Sequence, residues 1–302
     1  MSRYLDVAGV SFQCSEQKLF SPEMVWGQVD EAERRLAGTG IDLVVFCEGV
    51  ESRAQKMEEA ETVTQSPAPF LDRFRSLAQN CQCLVAADLK LREGGRIYNA
   101  LVYIDKDGTV LGDYRKTYPT PREIAMGITP GKGATIVQTP CGTIGGAICY
   151  DINFDDLRDQ YCELAPNILC YASMCNGGQI CNNWAFRTGA YLITAVKDGL
   201  SRIINPLGQT IASACFYERI VRTRINLDCL LMHSDDNLSK MPDVLRKYGK
   251  KVLLQSDPDL GYLLLSSEDP TLAIPDVQRD FELKPFRTLL KESAALCQQH
   301  RP

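Results

Sequence analysis

Three reactive side chains, those of Glu48, Lys116 and Cys149, each lie at or just beyond the end of a segment with the pattern of a β-strand. Strand ends are the places where α/β folds gather their functional residues. A thiol can act as a nucleophile, a carboxylate can accept its proton, and a fixed ammonium can stabilise an oxyanion. Together, the three side-chain types predict covalent catalysis by a cysteine.

Cys149 follows the strand-like segment 142–148 and precedes a predicted helix. Gly145 and Gly146 would allow a backbone or a substrate to approach closely. The partial positive charge at a helix N-terminus would favour the thiolate of Cys149. The chain has 13 cysteines, most of them in apolar runs, so a buried structural thiol is the alternative interpretation of Cys149.

Glu48 follows the apolar run 41–47, and such a partly desolvated carboxylate is suited to general-base chemistry. Glu51 is a nearby competitor for this role. Lys116 follows another strand-like segment, beside aromatic residues and a proline that indicate an ordered loop. The alternative for Lys116 is a basic pair with Arg115 on the surface.

The histidine content restricts the chemistry further, because the chain has only His233 and His300. A Ser-His-Asp triad, a Cys-His dyad or a site with several histidines would have to use one of them. His233 lies in a polar stretch that predicts a solvated loop. The cysteine pairs 81/83 and 175/181 lack CxxC spacing, so we expect no structural metal site.

The chain alternates strand-like and helix-like segments, with helices predicted to begin near Ser21-Pro22 and at Pro69. The predicted strands cover residues 4–13, 41–47, 83–89, 98–105, 109–114, 142–149, 167–173, 191–196, 201–205 and 220–228. This alternation predicts a layered α/β sandwich. We expect one domain over residues 1–232. The more polar residues 233–302 would form a C-terminal extension that packs on that domain or on a partner subunit, or else a solvated peripheral helix and loop.

Composition excludes several classes of protein. The net charge is −5 with no long basic run, which argues against a nucleic-acid partner. The longest apolar runs are far too short for a membrane span, and the first residues lack a signal-peptide pattern. An odd number of cysteines in a long chain favours a reducing compartment over a disulfide scaffold. We therefore expect a cytoplasmic protein that binds neither nucleic acid nor membrane.

The motifs around the three reactive residues resemble those of the nitrilase superfamily of carbon–nitrogen hydrolases. They read Val-Val-Phe-Cys-Glu at 44–48, Tyr-Arg-Lys at 114–116 and Gly-Gly-Ala-Ile-Cys-Tyr-Asp at 145–151. The order Glu, Lys, Cys matches, and the resemblance covers about residues 4–230. It implies a four-layer αββα sandwich that carries a Glu–Lys–Cys triad.

The resemblance also implies a role for each residue. Glu48 would be the general base, Cys149 the nucleophile, and Lys116 with the Tyr150 N–H the oxyanion site. Glu123 would be a second glutamate that orients Lys116. Residues expected to contact a small-molecule amide substrate are Tyr150, Asn153, Ser173, Met174 and Asn176. The resemblance also implies a homodimer or a larger homo-oligomer, and it implies neither a metal nor an organic cofactor.

Two departures from the family pattern bear on the substrate. Asn153 stands where many members have Arg, which favours a small or neutral substrate unless Arg187 or Arg122 supplies the contact. Tyr150 stands where nitrilases typically have Trp, which favours an amidase or carbamoylase. The alternatives are a nitrile hydrolase that uses the same triad and a catalytically silent binding or scaffold protein.

Overall fold

The computed structural model describes residues 3–13, 21–257 and 259–301, except for the side chains of Glu51 and Ser52. These residues form two compact units. The larger unit comprises Leu5–Arg224, and the smaller comprises residues 3–4 and 225–301. The predicted division of the chain into residues 1–232 and 233–302 stays a prediction.

The larger unit contains two six-stranded sheets. In their order across the first sheet, the strands are β12 (Ile220–Asn226), β1 (Tyr4–Val10), β2 (Leu43–Phe46), β3 (Leu84–Glu93), β4 (Arg96–Ile104) and β5 (Val110–Arg115). In the second sheet they are β11 (Thr210–Ser213), β10 (Arg202–Ile204), β9 (Tyr191–Val196), β8 (Ile168–Ser173), β7 (Gly142–Ile148) and β6 (Ile136–Thr139). The central strands of each sheet are parallel. These are β1, β2 and β3 in the first sheet and β7, β8 and β9 in the second.

Helices cover the outer face of each sheet. They are α1 (Pro22–Leu36), α2 (Pro69–Cys81), α4 (Asp155–Leu164) and α5 (Gly178–Thr188), whereas the short α3 (Pro121–Ala125) follows β5 along the chain. Helix α1 begins as predicted, because Ser21 caps it and Pro22 occupies its first turn. The ring of Phe74 on α2 meets that of Phe46 on β2 at 5.3 Å. On the other sheet, the Tyr161 hydroxyl of α4 accepts a hydrogen bond from Gly146 N at 3.0 Å.

The inner faces of the two sheets pack directly on each other. A Cβ on Gly9 would lie 2.3 Å from the Thr194 carbonyl oxygen of the facing sheet, so only glycine fits there. A Cβ on Gly146 would lie 2.8 Å from the Tyr103 hydroxyl and the Tyr114 Cβ. The glycine pair before Cys149 therefore makes room for side chains of the protein itself. The predicted four-layer αββα sandwich is confirmed.

The smaller unit has its own sheet and core. Its strands run in the order β13 (Cys229–His233), β15 (Tyr262–Ser267) and β14 (Val252–Asp257), and its helices are α6 (Met241–Tyr248), α7 (Ile274–Asp280) and α8 (Phe286–Gln299). Met232, Leu265 and Val277 are buried in this core. The alternative of a solvated helix and loop is therefore wrong for this segment. His233 ends a strand rather than lying in a solvated loop, because its backbone pairs with Tyr262.

Across the described part of the chain, none of the helices combines the length and the apolar character needed to cross a bilayer.

Candidate active site

The ends of three strands bring the predicted triad to one place between the sheets. Glu48 lies two residues beyond β2, Lys116 directly follows β5, and Cys149 directly follows β7. Glu48 and Lys116 are only 4% and 1% exposed, whereas Cys149 is partly accessible. Burying two opposite charges is tolerated only when they are paired.

Lys116 forms ion pairs with two carboxylates, those of Glu48 and Glu123. Its Nζ lies 3.1 Å from Glu48 Oε1 and 2.8 Å from Glu123 Oε1. Burial by itself lowers the pKa of the Lys116 ammonium, but the charges of Glu48 and Glu123 outweigh it and raise that pKa above its ordinary value. Lys116 therefore remains a cation throughout the neutral pH range.

Glu123 is held in place by the start of helix α3. The Thr120 hydroxyl donates to Glu123 Oε2 at 2.8 Å, and the Thr120 N–H donates to the same oxygen at 2.7 Å. This reciprocal capping box fixes the glutamate while it faces Lys116. Burial by itself raises the pKa of Glu123, yet the charge of Lys116 and these hydrogen bonds hold it below its usual value.

Glu48 has two further partners. The side-chain amide of Asn99 donates to Glu48 Oε1 at 3.3 Å, and the Met174 N–H donates to Glu48 Oε2 at 3.1 Å. Asn99 is fully buried on β4, and Met174 follows the end of β8. Both oxygens of Glu48 are thus held, one by the first sheet and one by the second. The competitor Glu51 has its side chain outside the described residues.

Cys149 sits on a strained strand-to-turn junction. Its φ of 47° lies in the left-handed region, which costs a residue with a Cβ on the order of 1–3 kcal/mol. The chain continues from it into a 3₁₀ turn, Cys149–Asn153. Such strain is stored where a surrounding structure fixes a side chain for function, and here it turns the thiol out of strand β7.

Asp151 holds the junction between β7 and the 3₁₀ turn in place through hydrogen bonds. Its carboxylate accepts hydrogen bonds from Ile148 N at 2.9 Å, from the Tyr114 hydroxyl at 2.7 Å and from Tyr118 N at 2.7 Å. These donors flank Cys149 on one side and Lys116 on the other, so one buried carboxylate sets the relative position of both. Burial raises the pKa of Asp151 to about 6.

The thiol of Cys149 is not a resting thiolate, contrary to the expectation from its place before a helix. Burial and the negative charge of Glu48 raise its pKa above the ordinary value, and the positive charge of Lys116 only partly compensates. The turn after Cys149 is a short 3₁₀ helix, whose dipole is small. Glu48 is the carboxylate whose charge acts on the thiol.

The five predicted substrate-contacting residues fall into two groups. Tyr150 and Asn153 lie on the 3₁₀ turn; both are exposed, and the Asn153 amide donates to the Tyr150 carbonyl at 3.0 Å. Ser173, Met174 and Asn176 follow along the end of β8, with Ser173 fully buried and Asn176 exposed. Ile148 pairs with Ala172, so Ser173 lies beside Cys149 on the neighbouring strand.

Two features of the site were not predicted from the sequence. Asn99 is a lone amide within the apolar strand β4, and that break in the pattern was its signal. The rings of Tyr118 and Phe154 stack at 3.7 Å, with Tyr150 edge-on to Phe154 at 5.3 Å. This aromatic group beside the nucleophile had no sequence signal, because its members come from two separate loops.

Among the side chains that the structure describes, no group of three or more His, Cys, Asp or Glu residues could hold a metal ion. The twelve described cysteines are thiols.

Comparison with known proteins agrees with this geometry. The carbon–nitrogen hydrolase family model matches residues 11–229. The omega-amidase NIT2 of Danio rerio is 27% identical over 230 residues, which cover 68% of this chain and 83% of that protein. The bifunctional nitrilase/nitrile hydratase NIT4B of Lupinus angustifolius is 28% identical over 165 residues, or 47% of each chain. The crystal structure of Nit3 from Saccharomyces cerevisiae superposes with a TM-score of 0.61 at 18% identity, covering 74% of this chain and 90% of that one.

The predicted resemblance is therefore confirmed over the residues that carry the two-sheet sandwich. Since the family model spans most of the larger unit, including Glu48, Lys116 and Cys149, the chain belongs to the carbon–nitrogen hydrolase family.

Proposed function

We propose that this carbon–nitrogen hydrolase cleaves a small amide or N-carbamoyl compound through a thioester on Cys149. The observation that carries the proposal is the pairing of Lys116 with two glutamates beside a strained, partly accessible thiol. The raised pKa of Lys116 keeps it a cation, which suits an oxyanion and not a base. The raised pKa of Cys149 creates the need for a base, which Glu48 meets.

In this mechanism Glu48 accepts the thiol proton as Cys149 Sγ bonds to the substrate carbonyl carbon. Lys116 and the Tyr150 N–H stabilise the resulting oxyanion. Glu48 returns the proton to the departing nitrogen, so that the C–N bond breaks and ammonia or an amine leaves. Water, deprotonated by Glu48, then attacks the thioester carbonyl; the C–S bond breaks, Glu48 returns the proton to Cys149 Sγ, and the acid is released. Glu123 orients Lys116 throughout, and no metal or organic cofactor takes part.

A small or neutral substrate is part of the proposal. Asn153 takes the place of the family's arginine, and its amide is engaged with the Tyr150 carbonyl. Arg122 and Arg187 are both exposed. The aromatic rings of Tyr118, Phe154 and Tyr150 offer apolar surface beside the nucleophile. We place Ser173, Met174 and Asn176 at the substrate as well, because the end of β8 adjoins Cys149.

A cytoplasmic location and a homo-oligomer belong to the same proposal. The thiol state of the twelve described cysteines supports a reducing compartment. The acidic net charge of −5 supports a protein without a nucleic-acid partner.

The test is ammonia release from a panel of small amides, N-carbamoyl amino acids and nitriles, with wild type, Cys149→Ala and Cys215→Ala. Cys215 is an exposed thiol on the turn after β11, so its variant controls for the loss of a cysteine. We expect release by the wild type and the control, and none by Cys149→Ala. Equal activity of all three would refute Cys149 as the nucleophile.

Hydrolysis of a nitrile is the second candidate, favoured by the similarity to the lupin nitrilase. The same panel separates the two, because turnover of nitriles alone would replace the amidase proposal. If every compound is left intact and intact-mass measurement finds no acyl adduct, the silent binding protein becomes the better interpretation.

A further inference from the structure

Among the described residues, Asn99 is the one fully buried amide that contacts both Glu48 and Glu123. It lies in β4 between the buried side chains of Tyr98 and Ala100, in a strand that is otherwise apolar from Tyr98 to Ile104. Its backbone carbonyl accepts the Lys116 N–H at 2.9 Å, so Asn99 also anchors the residue that carries the catalytic cation.

The side chains of Asn99 and Lys116 face the same two oxygens. Asn99 Nδ2 lies 3.3 Å from Glu48 Oε1 and 3.3 Å from Glu123 Oε1. Lys116 Nζ lies 3.1 Å and 2.8 Å from those same atoms. Two donors and two acceptors thus alternate around a closed ring. Each N–H of the amide points to one carboxylate, which offsets the repulsion between the two negative charges.

This ring makes the two oxygens of Glu48 unequal. Oε1 accepts from both Asn99 and Lys116, which occupies its two lone-pair directions. Oε2 accepts only the Met174 N–H among the described residues and keeps one direction open. Oε2 is therefore the oxygen that can receive a proton without breaking a hydrogen bond.

This orientation of the Asn99 side chain has an energetic cost at its own carbonyl oxygen. Within the described residues, the buried Oδ1 of Asn99 has no hydrogen-bond partner. Leaving such an acceptor unsatisfied is destabilising, and buried polar atoms without partners are rare in folded proteins. The orientation of the amide is thus set by its hydrogen bonds to the two carboxylates. The unsatisfied carbonyl oxygen lowers the stability of the fold, so this orientation favours the site and not the strand.

We propose that Asn99 is a positioning residue that holds Glu48 and Glu123 in register and reserves Glu48 Oε2 for the proton of Cys149. The inference rests on the proposed role of Glu48 as the base. Removing the amide leaves both carboxylates with one fewer donor, so each becomes easier to protonate and Glu48 loses its fixed orientation.

The test compares Asn99→Leu, Asn99→Asp and Asn99→Ser with wild type, measuring kcat and KM against pH. For Asn99→Leu we expect kcat to fall at least about tenfold with little change in KM, and the acidic limb of the kcat profile to move to higher pH by about one unit. Asn99→Asp should be poorest at neutral pH and recover toward acid pH, where a protonated carboxyl again donates. Asn99→Ser, which keeps one donor, should fall between Leu and wild type.

Asn205→Asp is the matched control. Asn205 is 2% exposed in the turn after β10, where its Oδ1 accepts from Leu207 N and Gln209 N at 3.0 Å each. Aspartate can accept both bonds, so this variant should keep the wild-type pH profile.

A readout without turnover separates the two proposals. The pH dependence of Cys149 alkylation by iodoacetamide, followed by peptide mass spectrometry, should also shift in Asn99→Leu. If the wild type turns over no substrate, the proposed function fails, and the alkylation profile alone decides the role of Asn99. If the wild type is active and Asn99→Leu keeps both profiles, the positioning role is refuted. Should Asn99→Leu fail to fold, unchanged profiles in Asn99→Ser would refute it equally.

Discussion

The ammonium of Lys116 is shared by both oxygens of Glu123, at 2.8 Å from Oε1 and 3.0 Å from Oε2. The ammonium also contacts Glu48, but there it meets only one oxygen. Glu123 therefore holds the Lys116 ammonium in position with both of its oxygens, whereas Oε2 of Glu48 does not contact that ammonium.

Glu123→Gln should lower kcat by about 10²-fold with a smaller change in KM, because a misplaced Lys116 no longer matches the oxyanion. Steady-state kinetics on the amide that the wild type hydrolyses provides the measurement. Glu93→Gln is the control, since exposed Glu93 forms an ion pair with Arg115 one residue away from Lys116. A Glu123→Gln enzyme as active as Glu93→Gln would contradict the positioning role.

Lys116→Met should destabilise the fold by about 3–5 kcal/mol, because it leaves the buried Glu48 and the partly buried Glu123 without their cation. Denaturant unfolding at neutral pH measures this loss. Lys247→Met removes an exposed lysine that pairs with Asp280 and should change the stability little. If the two variants unfolded at similar denaturant concentrations, the ion pair would not support the fold.

Glu48→Gln should abolish amide hydrolysis and yet speed the alkylation of Cys149 at a given pH. The negative charge of Glu48 helps to raise the pKa of the thiol, so its removal increases the thiolate fraction. In the wild type, alkylation should accelerate nearly tenfold per pH unit below that pKa. Slower alkylation in Glu48→Gln would show that the carboxylate acts on the thiol as a base even toward iodoacetamide.

Asp151 should make stability depend on pH in the direction opposite to an ordinary paired carboxylate. Its pKa is about 6 in the fold against 3.8 for an ordinary aspartate, so the folded state holds the proton more tightly. The group therefore contributes stability below pH 3.8, and this contribution is lost as the pH rises through about 6. A shift of this size corresponds to about 3 kcal/mol.

The measurement is the unfolding free energy of wild type minus that of Asp151→Asn, from pH 4 to pH 8. Asparagine does not titrate, so the difference isolates the carboxyl and should fall by about 2 kcal/mol across this range, since part of the full effect lies below pH 4. A difference that stayed flat or rose with pH would contradict the buried, raised carboxyl.

The local patterns of the chain carried much of the fold. Ser21-Pro22 placed the start of α1, and alternating apolar segments placed the strands that became two sheets. These signals are local, since a cap and an apolar period depend on residues a few positions apart. The sheet after residue 228 was not predicted, because it forms by pairing between segments that are distant in the sequence, as β13 pairs with β15.

The sequence by itself was sufficient to predict Glu48, Lys116 and Cys149 as the reactive side chains, because each follows a strand-like segment and the chain has only two histidines. Only the tertiary structure decided their electrostatic state. Burial and neighbouring charges keep Lys116 charged and Cys149 protonated. The charge of Glu48, which acts on both residues, lies 68 positions before Lys116 in the sequence. The tertiary structure also revealed Asn99, whose role exists only because β4 brings its amide to both glutamates at once.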